Sequence, residues 1–280
     1  MSKEFILNSK NKKIIDKNGF VIFPPNKFVL KNLKNIHKIV EDLLTKEKSR
    51  AGWEGKEEYY KKGKHFESGA RRLGNLINKN EIFKELIVLP EIVQTSEYII
   101  QNNIKIGAVD FRDPLIGTGK QALHIDWLPR KKRNDAYQSV LVQIILDDTN
   151  KTNGPLRVVP GTHKKLGWPD NYIKDVNKNH KNEKLVFLKK GSIIIINGNL
   201  WHGGTGNISG KKRRIILIDI RNRILPQLLN QKKYLSSKVK NSLTDFQKYL
   251  LGVREIDTTQ KQKSYGSGHA YREKYGKKHN

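Results

Sequence analysis

The chain has 280 residues, of which 36% are hydrophobic and 29% are charged, and it contains no cysteine. This length can bury a sizeable core in one large domain or two. The lack of cysteine excludes disulfides, thiolate metal sites and cysteine nucleophiles. The longest apolar run in the C-terminal half is the IIII segment at 193–196, too short to span a membrane. The N-terminus lacks the apolar segment and cleavage site of a signal peptide, so we expect a cytoplasmic protein.

The net charge of +28 raises the question of nucleic-acid binding, because Lys and Arg neutralise phosphates. However, there are 42 Lys against 13 Arg, together with 25 Asn and 30 Ile. An AT-rich genome over-represents Lys, Asn and Ile in any protein, and here the lysines are spread along the whole chain. A basic nucleic-acid-associated protein is therefore only an alternative, one that predicts strongly salt-dependent binding.

The N-terminal third has a predominantly helical pattern. Residues 13–24 predict a short helical start, a turn at Asn18-Gly19 and a strand. Apolar residues at helical spacing predict an amphipathic helix over 27–47. The polar, Gly-containing segment 49–70 predicts a loop over the domain. Two further helices are expected at about 80–87 and 90–102.

From residue 104 the pattern changes to short β-branched segments separated by Gly, Pro, Asn and Asp. Such a pattern predicts a mainly β fold with flanking helices, in the form of a sandwich, jelly roll or barrel. The last 55 residues return to helix around 227–250 and end in a polar, Lys-rich tail from about 258. The predicted strands cover residues 104–112, 139–146, 156–160, 183–188, 192–197 and 213–221.

Three residues carry the main chemical prediction. His124 and Asp126 lie two residues apart in QALHIDW, and period-two alternation in a strand would direct both side chains to one face. His202 follows the apolar SIIIIN segment and is followed by two glycines, which allow close approach of other groups. Two imidazoles and one carboxylate form a facial triad that holds non-haem Fe(II) and leaves positions open. The alternative for His124 and Asp126 alone is an ordinary surface pair.

Arg213 opens the next predicted strand, eleven residues after His202. Arginine pairs bidentately with a carboxylate, and its charge does not depend on pH. Its neighbour Arg214 competes for this role, but alternation places the two on opposite faces, so only one can enter the site.

Other polar residues are candidates for binding or for structural roles. Gln143 interrupts an apolar strand, and a buried amide there either lines a binding site or is merely structural. Gln121, three residues before His124, is a similar candidate. His163 lies in a Pro-Gly turn, which favours a structural or surface role. Trp127 directly follows Asp126 and either packs in the core or contacts a substrate.

These residues stand in a set of motifs that resembles the phytanoyl-CoA dioxygenase family of Fe(II)/2-oxoglutarate-dependent oxygenases. The resemblance covers roughly residues 13–225, in order. Its motifs are NGFVIFP near the start, GARRLGNL at 69–76, GTGKQALHIDW at 117–127, NGPLRVVPGTHK at 153–164 and WHGGTGNISGKKRR at 201–214.

The resemblance implies a double-stranded β-helix, that is, a cupin-like jelly roll with helices packed outside. It also implies that His124, Asp126 and His202 bind iron and that Arg213 holds the distal carboxylate of 2-oxoglutarate. The enzyme would then be a dioxygenase that oxidises a small organic metabolite with molecular oxygen and releases succinate and CO2. The retained Asp126 favours hydroxylation or another oxidation over halogenation, for which relatives replace this carboxylate by a small residue.

One position departs from the family pattern. Several members carry a hydroxyl residue two positions after the distal histidine, where it helps to bind the co-substrate. Here that position is Gly204, with Thr205 next, so this contact is not expected.

The resemblance also suggests a division of the chain. We expect the dioxygenase domain over 1–225, a helical extension over 226–257 and a basic tail over 258–280. The sequence does not indicate an oligomeric state. A non-catalytic jelly-roll protein that binds a small molecule is the alternative to an enzyme.

The substrate side is predicted from loops, at 49–68, 113–120 and 128–137. The PRKKRN segment at 129–134 follows Asp126 and suggests an anionic organic substrate, with Arg130 as the candidate for direct contact. The alternative is a solvated Lys-rich loop.

Overall fold

A computed structural model describes residues 5–54 and 69–253 of the chain. Most of the predicted loop at 49–70 and the whole predicted tail from 258 therefore lie outside the described residues. No helix among the described residues is both long enough and apolar enough to cross a bilayer.

The N-terminal helices form where the apolar spacing predicted them. Helix α1 (Ser9–Asn18) ends at Gly19, whose positive φ of 82° suits a residue without a side chain. Strand β1 (Phe20–Phe23) follows, and helix α2 (Lys27–Glu47) begins after Asn26, whose side chain accepts two backbone N–H groups of the first turn. The predicted helix over 27–47 is confirmed.

The remaining N-terminal helices are α3 (Ile82–Leu86) and α4 (Pro90–Ile100). All six segments predicted as strands contain strands, and the structure adds two that the apolar pattern did not indicate, because they are short and rich in Arg or Gly. The strands after β1 are β2 (Ala70–Leu73), β3 (Ile104–Pro114), β4 (Ser139–Ile145), β5 (Leu156–Val158), β6 (Lys184–Val186), β7 (Ile193–Asn197), β8 (His202–Gly204) and β9 (Ile215–Asn222).

These strands form two antiparallel sheets. The large sheet has the order β1-β7-β4-β9-β3-β2, and the small sheet has the order β6-β5-β8. Helices α2 and α4 cover one face of the large sheet and share a core with it, and the other face packs on the small sheet through a second apolar cluster. The result is the mainly β jelly-roll arrangement with flanking helices that the sequence predicted, and the described strands do not close into a barrel.

Alternation along β9 separates the two faces of the large sheet. Ile216, Ile218 and Ile220 belong to the core under the helices, whereas Ile215 and Leu217 belong to the cluster between the sheets. We call the second face the inward face. Gln143 of β4 lies opposite Leu217 in the register and therefore on the inward face.

The C-terminal segment forms three short helices instead of the single helix predicted around 227–250. They are α5 (Gln231–Tyr234), α6 (Ser237–Ser242) and α7 (Asp245–Leu250). Each begins after an Asn, Ser or Thr whose side chain accepts a backbone N–H, so these caps interrupt what would otherwise be one helix. The segment packs on β3, where the N–H of Leu229 donates to the carbonyl of Gly107 over 2.9 Å.

Candidate active site

The backbones of His124 and His202 bring the predicted ligands together. The N–H of His124 donates to the carbonyl of His202 over 3.0 Å, and the N–H of His202 donates to the carbonyl of His124 over 3.1 Å. This antiparallel bridge places the two imidazole centroids 4.5 Å apart. His202 lies in β8, but His124 lies in an isolated bridge, so the expectation that His124 and Asp126 share a strand is wrong.

Asp126 completes the cluster. Its Oδ1 lies 3.7 Å from Nε2 of His124, and its Oδ2 lies 3.3 Å from Nε2 of His202. One ligand atom from each residue lies within 4.8 Å of the other two. Ligand atoms that share a metal ion at about 2.1 Å are roughly 3–4 Å apart, so these separations fit a common ion.

Hydrogen bonds fix the neutral tautomer of both rings. Nδ1 of His124 lies 2.8 Å from the carbonyl oxygen of Ala122, and Nδ1 of His202 lies 2.9 Å from that of Leu200. A carbonyl oxygen can only accept, so each Nδ1 carries the proton and the Nε2 of each neutral ring presents a lone pair. Metal-binding histidines are commonly oriented in this way.

The electrostatics of the cluster also suit a cation. Oδ2 of Asp126 is buried and accepts no hydrogen bond from the described residues. Burial alone would raise the pKa of Asp126, but attraction from His202 and His124 outweighs it and lowers that pKa. Likewise, burial alone would lower the pKa of His202, but attraction to Asp126 raises it. Two nitrogen lone pairs and a carboxylate facing one another are satisfied by a shared metal ion, so this donor set fits iron(II).

Arg213 and Arg214 lie on opposite faces, as alternation predicted. Nη2 of Arg214 donates to Oδ1 of Asp147 over 2.7 Å and its Nη1 to Oε1 of Glu41 in α2 over 3.3 Å, which places Arg214 on the helix side. Arg213 is 2% exposed, and its backbone N–H donates to Oδ1 of Asp113 over 3.0 Å. Its side chain therefore belongs to the inward face.

The two glutamines differ in their surroundings. Gln143 is 6% exposed on the inward face, in the middle of the large sheet. Oε1 of Gln121 accepts the backbone N–H of Gly204 over 2.9 Å, so this amide supports β8. The hydroxyl of Thr205 donates to the carbonyl of Pro155 over 2.6 Å.

Close packing explains the glycine at position 204. A Cβ there would lie 2.7 Å from the carbonyl oxygen of Gly119, 3.1 Å from Oε1 of Gln121 and 3.6 Å from Nη1 of Arg112. A hydroxyl side chain at this position would collide with the backbone of residue 119. The packing around β8 therefore requires glycine where several family members carry a hydroxyl residue.

Arg130 does not have the predicted environment. Its Nη1 donates to the carbonyl of Arg133 over 2.6 Å, and its Nη2 donates to that of Lys164 over 3.0 Å. The guanidinium also lies 4.6 Å from the ring centroid of Tyr137. The side chain thus holds the 129–135 loop on the 162–164 turn, which contradicts the expectation that it contacts the substrate.

His163 is structural, as its Pro-Gly turn indicated. The residue is 2% exposed, and its ring centroid lies 5.8 Å from that of Tyr137. Burial lowers the pKa of His163 to about 4, so its ring is neutral at ordinary pH. It is not part of the metal-binding cluster found among the described residues.

A charged pair beside the cluster was not predicted. Asp219 lies on the inward face of β9, and its Oδ2 accepts from Nε of Arg221 over 2.7 Å. The guanidinium of Arg221 lies 4.5 Å from the ring centroid of Trp127 and attracts the carboxylate of Asp126. Burial raises the pKa of Asp219, an effect that exceeds the opposing attraction of Arg221. The signal in the sequence was the pair of charges two residues apart in an otherwise apolar strand.

Comparison with known proteins agrees with the predicted fold and family. The model of the phytanoyl-CoA dioxygenase family matches residues 15–215, and the chain belongs to this family. Its enzymes are oxidoreductases that use iron(II) and 2-oxoglutarate, so the expected enzyme class, cofactor and co-substrate are confirmed.

Solved structures show the same fold at low identity. HygX from Streptomyces hygroscopicus, with nickel and 2-oxoglutarate bound, matches with a TM-score of 0.60 and 13% identity over 79% of this chain and 90% of that chain. HygX has also been solved with hygromycin B bound. SnoK, a non-heme alpha-ketoglutarate-dependent carbocyclase from nogalamycin biosynthesis, matches with a TM-score of 0.57 and 15% identity over 77% of this chain and 84% of that chain.

Proposed function

We propose that this enzyme hydroxylates a small organic metabolite in a reaction that converts 2-oxoglutarate and O2 into succinate and CO2. The observation that carries the proposal is the cluster of His124, Asp126 and His202, whose ligand atoms lie within 4.8 Å of one another. The hygromycin B complex of HygX supports a small-molecule substrate. The reaction inserts one oxygen atom of O2 into a C–H bond and transfers the other to succinate.

The three residues would hold iron through Nε2 of each histidine and a carboxylate oxygen of Asp126. When bound, iron(II) supplies the redox chemistry that couples decarboxylation of the co-substrate to oxidation of the substrate. The backbone carbonyls of Ala122 and Leu200 keep the proton of each neutral ring on Nδ1, which directs the Nε2 lone pair to the metal.

Arg213 would bind the C5 carboxylate of 2-oxoglutarate. It is a buried cation on the inward face, and its planar guanidinium matches a carboxylate bidentately. Gln143 would lie along the co-substrate from the neighbouring strand β4. Gln121 would act indirectly, since its side chain carbonyl holds Gly204 of β8 two residues after His202.

The organic substrate would enter beside Trp127 and the Asp219–Arg221 pair. These side chains lie near Asp126, at the other end of β9 from Arg213. Their arrangement provides an aromatic edge, a carboxylate and a guanidinium, which together can orient a polar metabolite.

An anionic substrate is a further part of the proposal. Arg130 is committed to loop carbonyls, so attraction depends on Lys131, Lys132 and Arg133, all of which are exposed. Exposed cations act on an anion at a distance and raise its rate of encounter.

Two measurements test the proposed function. Anaerobic addition of 2-oxoglutarate to the iron-loaded protein should produce the charge-transfer absorption of an iron–oxoglutarate complex. Incubation with pools of candidate metabolites should then reveal substrate-dependent formation of succinate. Absence of the absorption band would instead favour a jelly-roll protein that does not catalyse this reaction.

A further inference from the structure

A network of charged residues lies behind Arg213, on the helix side of the large sheet. It joins helix α2 to strands β2 and β3 and to the segment that leads into β9. We call it the Glu41 network. Its members are Glu41, Arg71, Asp113, Asp147, Lys212 and Arg214.

Asp113 occupies the centre of this network. It is 2% exposed, and its Oδ2 accepts from Nε and Nη2 of Arg71 over 3.1 and 2.5 Å. Arg71 in turn donates from Nη1 and Nη2 to the two carboxylate oxygens of Glu41, over 2.5 and 3.0 Å. The hydrogen bonds to Arg71 lower the pKa of Glu41, so this carboxylate is ionised at neutral pH. A buried carboxylate held in this way has a fixed orientation.

The other oxygen of Asp113 holds the backbone of the co-substrate arginine. Oδ1 accepts the N–H of Arg213 over 3.0 Å. Strand β9 begins only at Ile215, so this amide is fixed by a side chain rather than by a neighbouring strand. The next amide is held in the same manner, because the N–H of Arg214 donates to Oδ2 of Asp147 over 2.9 Å.

We propose that Asp113 is a positioning residue for 2-oxoglutarate and acts through Arg213. By fixing the amide of Arg213 from the helix side, it sets the direction in which the guanidinium enters the inward face. A binding group whose backbone is held in advance loses less freedom when its ligand arrives. The inference rests on the proposed function, in which Arg213 binds the C5 carboxylate.

Asp147 provides a matched control. Like Asp113 it is a carboxylate that accepts one backbone N–H and two side-chain N–H groups of an arginine in the same network. Its arginine, however, is Arg214, which faces the helices. D113A and D147A thus each remove the carboxylate that accepts a backbone N–H, from Arg213 in one case and from the adjacent Arg214 in the other.

The experiment is an anaerobic titration of the iron-loaded enzyme with 2-oxoglutarate, followed through the charge-transfer absorption. D113A should weaken 2-oxoglutarate about 10- to 100-fold, by analogy with the range found when the outer partners of metal ligands are removed. Saturating co-substrate should restore the band, and iron binding without co-substrate should be unchanged. D147A should bind 2-oxoglutarate as the wild type does. D113N, whose amide oxygen can still accept the N–H of Arg213, should recover most of the loss.

Two results would overturn the inference: normal 2-oxoglutarate affinity in D113A, or an equal loss in D147A. Should D113A fail to fold, R71Q removes the ion pair that orients Asp113 and should raise the dissociation constant in the same direction. Normal affinity in R71Q would then count against the inference. R213A separates this test from the proposed function, because an unchanged affinity in R213A would refute the role of Arg213 itself.

Discussion

Gly107 lies directly beneath the carboxylate of Asp219. A Cβ at this position would lie 1.8 Å from Oδ2 of Asp219 and 3.3 Å from Nε of Arg221. The sheet register also shifts here, between Ile106 and Ala108. The missing side chain and the irregular register give the ion pair of Asp219 and Arg221 its space on the inward face.

G107A should therefore displace the Asp219 carboxylate from Arg221 and impair substrate oxidation. Overpacking of this kind costs about 1–3 kcal/mol of folding free energy. The iron–oxoglutarate absorption should persist, because Arg213 and the metal ligands are not touched. Urea denaturation measures the first effect and anaerobic absorption the second. G206A is the control, since a Cβ there meets only the carbonyl of Thr118 at 3.8 Å; an equal loss of stability in both variants would contradict the prediction.

Iron binding should require all three members of the cluster. H124A and H202A each remove a neutral nitrogen ligand, and D126A also removes the charge that partly balances iron(II). Each should abolish the charge-transfer absorption with 2-oxoglutarate, measured anaerobically. H163A should retain it, because His163 lies in the 162–164 turn. Loss of the band in H163A with retention in H202A would show that the wrong histidine had been assigned.

R213A should weaken 2-oxoglutarate far more than it weakens iron. Truncating one partner of a buried charge pair costs about 2–5 kcal/mol. R213K should recover only part of the affinity, because an ammonium cannot form the planar fork. The dissociation constant from the absorption titration measures both effects. R214A should have a small effect, since Arg214 faces Asp147 and Glu41, and equal losses in both alanine variants would refute the facial assignment.

Burial of the neutral His163 ring should lower the free energy of unfolding in mild acid, relative to neutral pH. Its folded-state pKa of about 4 lies below the ordinary 6.5, so between these values the unfolded state binds a proton that the folded state does not. The stabilisation is complete above pH 6.5 and is lost as the pH falls towards 4. Between about pH 7 and about pH 5 the loss is about 2 kcal/mol.

H163Q should remove this component of the pH dependence. The measurement is the free energy of unfolding of metal-free wild type and variant in urea at both pH values. His202 is present in both proteins, so its contribution cancels in the comparison. Equal pH dependence in the two proteins would mean that His163 is not protonated on unfolding in this range.

The K131E/K132E/R133E variant tests the charge of the substrate. If the substrate is anionic, reversing these exposed charges should raise its KM, and more so at low ionic strength, because screening weakens long-range attraction. Turnover of 2-oxoglutarate without substrate should be unchanged. Steady-state kinetics at two salt concentrations provide the measurement, and a KM that is unaffected at low salt would exclude steering by this loop.

The sequence by itself indicated most of the helices and strands and the three residues of the candidate metal site. Periodicity placed helix α2 and six of the strands, because packing against one core requires apolar residues at regular spacing. Motif order selected His124, Asp126, His202 and Arg213, and alternation assigned Arg213 and Arg214 to opposite faces.

Only the tertiary structure decided which polar side chains are already engaged in hydrogen bonds away from the site. Arg130 seemed available in the sequence, yet four loop carbonyls accept from its guanidinium. Asp113 and Gly107 carried no motif, because their roles depend on Arg213 and Asp219, which lie 100 and 112 residues further along the chain. A local sequence pattern predicts which face of a helix or strand is apolar. It does not predict which residues of different elements form hydrogen bonds, because the register between distant strands sets those pairs.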